Sequence, residues 1–509
     1  MADLESLYNQ AFAAYRAGKP DQAGRFLQQL LQARPGNPRA SLLKGVVHSK
    51  ADPATGLALV EQACFADPTD AQAWYNLGVF ESERGRLDLA LASYERAVAH
   101  DALHVDALGN GCELLRRFDR FDEALTWADR QLALGAESWA AHLNRAVCLL
   151  QMKRFDEALE AFRRAEALDP GRPIIRWEAF SLHLFARRFR EAWSCFESRF
   201  DAGHLNGVFH YPFPQPRWNG EDLAGRHLLV HNEQGLGDQI MFASALPEVM
   251  AGAGRTTIVV SPELEGLFRA SFPQAEVFPA MNGRLAGDHV VPPWIGRLAP
   301  VDWQIPIGSL MHLRRNTPES FAGVKPWIRP SDAARARWKE MATRLWSGSR
   351  RPRVGLCWAS NPALFRMDSS RRAVKKSMAL EAMIPLMDVA GVDFVSVLNW
   401  KIDPMPQPMQ GRLQDLSAEL RSMDDTAALI EHLDLVIAVD TSVAHLAGAM
   451  GRPVWLLLHD FADCRWTLEG ETSYWYPTMR MIRQQQPGDW PQVIADTKAR
   501  LAAQEWPAR

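Results

Sequence analysis

Hydrophobic and polar positions divide this chain into two regimes. In the first, a small residue returns at a nearly fixed interval: Ala23, Gly56, Ala90, Ala124, Ala158 and Ala192, at spacings of 33, 34, 34, 34 and 34. A large apolar residue follows most of them, as Leu57, Leu91, Leu125, Leu159 and Trp193. The same polar phrase precedes them, as Arg86-Leu87-Asp88, Arg120-Phe121-Asp122-Glu123, Arg154-Phe155-Asp156-Glu157 and Arg188-Phe189-Arg190-Glu191. Four residues after the small position stands Leu27, Tyr94, Phe162 or Phe196, and Pro35, Pro68 and Pro170 fall late in their units. This periodicity predicts helical pairs stacked into a solenoid over residues 1–205. The small residue lets the second helix approach the first, and the bulky ones fill the space between pairs. A single pair cannot bury its apolar face, so several must stack. Five units are visible, with a partial sixth at 176–200; Gly56 marks the second unit as degenerate.

A different pattern follows. Pro212, Pro214 and Pro216 exclude regular helix over 211–219, so 206–222 reads as a linker. Beyond it, short apolar runs at 227–231, 257–260, 354–358, 394–398, 435–439 and 454–458 read as buried strands. Helix-like segments at 243–250, 263–270 and 426–433 lie between them. Strands alternating with helices imply parallel sheets. A proline- and arginine-rich break over 326–353 separates two doubly wound halves, 223–330 and 331–509. A ligand cleft is expected at the carboxyl ends of their strands. The fold class is therefore α plus α/β.

Composition narrows the function. Net charge is only -3 with 23% charged residues, which argues against coating nucleic acid or anionic membrane. The six cysteines form no CxxC pair, which suits reduced packing residues in a cytoplasmic protein. The polar start at 1–10 predicts no secretory leader, and no run approaches the roughly 18 apolar residues of a membrane span.

Three segments carry candidate chemistry. The run His231-Asn232-Glu233-Gln234-Gly235-Leu236-Gly237-Asp238 follows a strand and opens a helix. Gly235 and Gly237 allow a tight turn and close approach of a ligand. Asp238 is either a catalytic carboxylate or a helix-capping aspartate. In the run 439–449, Asp440 ends a strand, Thr441 or Ser442 can cap the next helix, and its first N–H groups suit a diphosphate. His445 either faces the same anion or is a satisfied packing histidine. Arg366, Arg371, Arg372, Lys375 and Lys376, after Ser360-Asn361-Pro362, form a phosphate-binding loop or an ordinary solvated basic loop. The aromatic tail, with Asp463-Cys464-Arg465-Trp466 and Trp475-Tyr476-Pro477-Thr478-Met479-Arg480, reads alone as packing and turns.

The 34-residue framework resembles the tetratricopeptide repeat (TPR), and Trp74, Leu77 and Gly78 fit its first helix. From about residue 216 to 501 the chain resembles the ADP-heptose–lipopolysaccharide heptosyltransferase family, closest to its TPR-fused bacterial relatives. The resemblance rests on Gly235-Leu236-Gly237-Asp238 with Pro247, on Asp440-Thr441 with His445, and on the Trp-Tyr-Pro-Thr-Met-Arg tail. It implies a GT-B fold of two Rossmann-type halves and inverting, metal-independent transfer of a hexose or heptose from a nucleotide-diphosphate sugar, without a cofactor. By resemblance Asp238 is the general base. Asp440, Thr441, Ser442, His445, Asn361, Arg372 and Lys376 are the donor-binding set, with Lys376 offsetting charge on the leaving diphosphate. The first half is short for this family, and the basic loop is long. The leading expectation is a protein acceptor presented by the repeats. The alternatives are a lipid-linked glycan acceptor, or an interaction scaffold whose transferase has decayed.

Overall fold

The computed structural model describes residues 2–135, 137–202, 213–280, 298–359 and 376–506. They form two compact units, Met1–Ile175 and Arg176–Arg509.

The first unit is built of five helix pairs: α1 (Ala2–Arg16) with α2 (Pro20–Ala33), α3 (Pro38–His48) with α4 (Pro53–Ala66), α5 (Ala71–Glu83) with α6 (Leu87–His100), α7 (Val105–Arg117) with α8 (Phe121–Ala133), and α9 (Trp139–Gln151) with α10 (Phe155–Leu168). The starts follow from local chemistry. Proline opens α2, α3 and α4, where its missing N–H costs nothing. Asn37, Asp52, Asp70 and Ser138 accept N–H groups of the turns they precede. The recurring small residues sit at the helix contacts, with Ala23, Ala90, Ala124 and Ala158 fully buried. Gly56 is a closer contact than alanine would allow. A Cβ there would meet Phe80 Cε1 at 2.9 Å and the Gly45 carbonyl at 3.0 Å. The degenerate second unit is thus a tighter packing of α3 on α4.

The sixth pair, α11 (Pro173–Phe185) and α12 (Phe189–Phe196), falls almost wholly in the second unit, whereas the periodicity alone counts it with the repeats. Its Ala192 and Trp193 are buried, and Trp193 Nε1 donates to the Arg315 carbonyl at 2.7 Å.

The rest of the second unit holds two all-parallel sheets. The first has the order β3-β2-β1-β4, with β1 His227–His231, β2 Arg255–Val260, β3 Glu276–Pro279 and β4 Trp303–Pro306. The second has the order β10-β9-β8-β5-β6-β7, with β5 Arg353–Cys357, β6 Asp393–Ser396, β7 Leu413–Asp415, β8 Leu435–Val439, β9 Val454–Leu458 and β10 Met479–Arg483. β1, β8 and β9 are buried along their whole length, which explains their unbroken apolar sequences. Three sequence readings change here. Within the proline-rich segment, Trp218 N donates to the Gln304 carbonyl and Gln304 N to the Pro216 carbonyl, so residues 216–218 run along β4. The break over 326–353 contains the helix Asp332–Leu345. Strands β3, β4, β7 and β10 join the six runs legible in the sequence.

Strand order reverses on either side of β1 and again between β5 and β8. Such switch points leave a crevice beyond the strands' carboxyl ends. Both candidate loops lie there.

Candidate active site

The first loop leaves β1 and enters the helix Leu236–Phe242, with Gly235 at its N-cap. Gln234 has φ +59°, which turns the chain sharply before the helix. Asp238 is the third helical residue, and both its oxygens are engaged. Oδ2 accepts the Gly235 N–H at 3.0 Å, the capping role open from sequence. Oδ1 accepts Nη1 of Arg465 at 2.6 Å. The residue thus caps its helix and still presents a charged oxygen toward the second sheet's loops. Its side chain is 18% exposed.

The start of this loop is pinned. Glu233 is fully buried and forms a double ion pair with buried Arg199, at 2.6 Å from Nε and 2.7 Å from Nη2. Glu233 Oε1 also accepts the Gly308 N–H at 2.8 Å. Arg199 donates further to Ser309 and to the Phe196 carbonyl. Burial disfavours the guanidinium charge, but Glu233 and then Glu197 outweigh it and raise the pKa. A buried pair of this kind adds little net stability. What it provides is a fixed origin for the turn that carries Asp238.

The second loop leaves β8. Asp440 ends the strand, and the helix Ser442–Ala449 follows, with half-buried Ser442 as its first residue. Thr441 occupies the N-cap position, but its hydroxyl caps nothing; it lies 3.4 Å from Cys357 Sγ at the end of β5. The Ala444 and His445 N–H groups donate to the Thr441 carbonyl, so the N–H groups of Ser442 and Val443 are those an external acceptor could take. Asp440 is paired with Lys376 Nζ at 2.8 Å, so the loops after β5 and β8 are joined at the switch point. Asp440 raises the lysine pKa against the effect of burial. Burial pushes the Asp440 carboxyl up, and Lys376, then Arg465, overcome it and hold it low.

His445 does not act as a cation. It is buried, its Nδ1 lies 2.8 Å from the Tyr476 hydroxyl, and its ring packs 5.0 Å from that of Trp466. Burial, then Arg465, push its pKa down to about 4, against Asp440 and Asp238. It is therefore neutral near pH 7 and packed, so it could meet an anion only as an uncharged hydrogen-bond donor. The same ring touches the other loop: a Cβ on Gly237 would meet His445 Cδ2 at 2.7 Å. Trp327 adds a second tie. Its backbone N–H donates to Ala449, its Nε1 to Ile240, and its ring stacks on Tyr476.

The structure thus brings Gly235, Gly237, Asp238, Lys376, Asp440, Thr441, Ser442 and His445 together where the loops after β1, β5 and β8 meet. Asn361 and Arg372, also expected in the donor set, lie outside the described residues. The decisive addition is Arg465, which sequence alone placed among packing and turns. Asp463 holds it at Nε (2.9 Å) and Nη2 (3.4 Å) while Nη1 reaches Asp238. Its partner lies 227 residues away in the chain, so no local pattern announces it. Among the described residues no group of three or more His, Cys, Asp or Glu could hold a metal ion, and no helix is long and apolar enough to cross a membrane.

Comparison with known proteins agrees with this architecture. Tetratricopeptide repeat families match residues 5–37, 49–104 and 139–172, and glycosyltransferase family 9 (heptosyltransferase) matches residues 411–458. The last match spans β8, Asp440 and the helix of His445. The chain therefore joins tetratricopeptide repeats to a region that is similar, over residues 411–458, to glycosyltransferase family 9. Protein FlbA of Caulobacter vibrioides is 27% identical over 94% of this chain and 75% of its own length. Tetratricopeptide repeat protein 8 of Caenorhabditis elegans is 31% identical over 24% of this chain and 25% of its own length. Among solved structures, Pseudomonas aeruginosa PilF matches 40% of this chain and 95% of its own at 17% identity and TM-score 0.35.

Proposed function

We propose that this chain is an active, inverting glycosyltransferase that moves a sugar from a nucleotide-diphosphate donor to an acceptor hydroxyl. The observation that carries this reading is the meeting of Asp238 with Arg465, beside the Lys376–Asp440 pair, where the loops that follow β1, β5 and β8 come together. The diphosphate would rest on the uncapped start of the helix Ser442–Ala449, with Lys376 beside it. Asp440 serves by holding Lys376 rather than by touching the anion. In the transfer, the acceptor oxygen bonds to the anomeric carbon and its proton passes to Asp238. The bond from that carbon to the diphosphate oxygen breaks, and its electron pair leaves with the diphosphate. Lys376 and Arg465 supply the countercharge that a metal supplies elsewhere. Family resemblance favours a hexose or heptose donor. The repeats would present a protein acceptor by raising its local concentration at Asp238. Six free cysteines fit a reducing cytoplasm, where nucleotide sugars are made.

A panel of nucleotide sugars, read by intact mass of protein and lipid-linked acceptors, tests this reading. The variant Asp238→Asn should lose transfer by about 10²- to 10⁴-fold while retaining nucleotide binding. Turnover near that of the natural chain would remove Asp238 from the chemistry. Transfer to a lipid-linked glycan but to no protein would move the acceptor assignment.

A further inference from the structure

The described crevice holds three carboxylates, Asp238, Asp440 and Asp463, against two cations, Lys376 and Arg465, with His445 neutral. Each cation is already paired. A phosphate oxygen of the donor would compete with these carboxylates for the same cations, and the pair that opens more easily is the one that exchanges. The two pairs are not equally able to open. Asp440 is 6% exposed, and separating it from Lys376 would strand a buried carboxylate without a counterion. Asp238 is 18% exposed and keeps the Gly235 N–H on its other oxygen. It can lose its cation to solvent or to an acceptor hydroxyl at less cost.

Arg465 is built for such an exchange. Its Nε edge is anchored on Asp463, whose Oδ1 also accepts the Arg465 backbone N–H at 3.1 Å. Its carbonyl accepts Nε1 of Trp475 at 3.2 Å. The backbone and one edge of the guanidinium are therefore fixed, and only Nη1 reaches across to Asp238. A guanidinium offers several donors in a rigid fork, so one edge can stay anchored while another changes acceptor.

We propose that Arg465 is a catalytic residue shared between base and donor. It holds Asp238 Oδ1 through Nη1. When the donor diphosphate arrives it passes Nη1 to a phosphate oxygen, and Asp238 is released for the acceptor hydroxyl. The base is thus freed only when there is a donor to attack. This rests on the transferase reading above.

Calorimetry with a panel of nucleoside diphosphates (ADP, GDP, UDP, CDP and dTDP) separates the two ideas. Because Asp238 competes with the diphosphate for Arg465, Asp238→Asn should tighten binding of the accepted nucleoside diphosphate by roughly fivefold or more. Arg465→Gln should weaken it by a similar factor, and Asp238→Asn should then have no further effect. Removing a carboxylate also relieves plain repulsion of an anion, so the handover is read from the cycle: tightening of equal size with and without Arg465 overturns it. If Arg465→Gln fails to fold, Arg465→Lys, which keeps the charge but loses the fork that spans Asp463 and Asp238, takes its place in the cycle. Binding that Asp238→Asn leaves unchanged or weakens overturns the handover while the transferase stands. No binding of any nucleoside diphosphate by the natural chain overturns both.

Discussion

The two strand-end loops make an instructive pair. Both leave a buried parallel strand, turn once, and enter a short helix near an aspartate. At the end of β1, Asp238 shares its oxygens between a backbone N–H and an arginine from the other half, and stays partly open. At the end of β8, Asp440 is sealed against Lys376 and flanked by a neutral histidine. The same element order therefore yields two kinds of carboxylate. One can exchange its partner and meet a proton. The other holds a cation in place, which in the proposed reaction serves an anion that Asp440 itself does not touch. Burial and counterion decide which is which.

The largest expected difference is in stability. Asp440→Ala leaves Lys376 facing a cavity with its charge uncompensated, which should cost about 3 to 4 kcal/mol. Asp238→Asn, at the more open site, should cost under about 1 kcal/mol. Chemical denaturation of both variants checks this contrast. The double variant Asp440→Ala with Lys376→Ala should cost less than the sum of its parts. If Asp440→Ala unfolds no more easily than Asp238→Asn, the two carboxylates are not of different kinds.

A smaller effect should appear with pH. The His445 imidazole titrates near 4 in the folded chain against 6.5 ordinarily, so folding opposes its protonation. The unfolded chain binds the proton first. The stability that the neutral ring supplies is full above pH 6.5 and is lost as pH falls toward 4. His445→Gln removes this dependence. Its stability deficit against the natural chain should therefore shrink by about 2 kcal/mol between pH 7.5 and pH 5. A deficit independent of pH would mean that the fold leaves the ring's pKa unshifted, and one that grew toward pH 5 would mean that the fold favours the charged ring and the second loop offers a cation after all.

Much of this arrangement is legible in the chain, and the rest is hidden for identifiable reasons. The repeats are legible because identical packing problems recur every 34 residues or so. Strands β1, β8 and β9 are legible because both their faces are buried. β10 is not, since Met479–Arg483 alternates with arginines and hides in an aromatic tail. β4 is only four residues long and ends on proline. At the site, Asp238 and Asp440 declare themselves by their place at strand ends. Arg465 and Tyr476 do not, because their roles depend on partners brought by the fold from distant sequence. The neutrality of His445 is likewise a property of its surroundings and not of its motif.

The smallest effect tests whether the two loops bear on one another. Gly237 sits in the helix that carries Asp238, and its backbone is not in the left-handed region, so conformation alone permits alanine. Alanine at this helical position would even gain up to about 1 kcal/mol in propensity. Space forbids it: the new methyl would lie 2.7 Å from His445 Cδ2 and 3.4 Å from Cγ and Nε2. The ring cannot easily yield, because Tyr476 holds Nδ1 and Trp466 packs beside it. The helix Leu236–Phe242 must shift instead, and Asp238 with it. Gly237→Ala should therefore lower stability by about 1 kcal/mol net and slow transfer by more than that small loss implies, since displacement of a base by a fraction of an ångström is costly. Gly252→Ala is the control, because a Cβ there meets nothing within 4 Å. Thermal melts and initial rates on the two variants decide the matter. If Gly237→Ala melts and turns over like Gly252→Ala, the loops are merely neighbours, and the difference between their aspartates owes nothing to the contact between them.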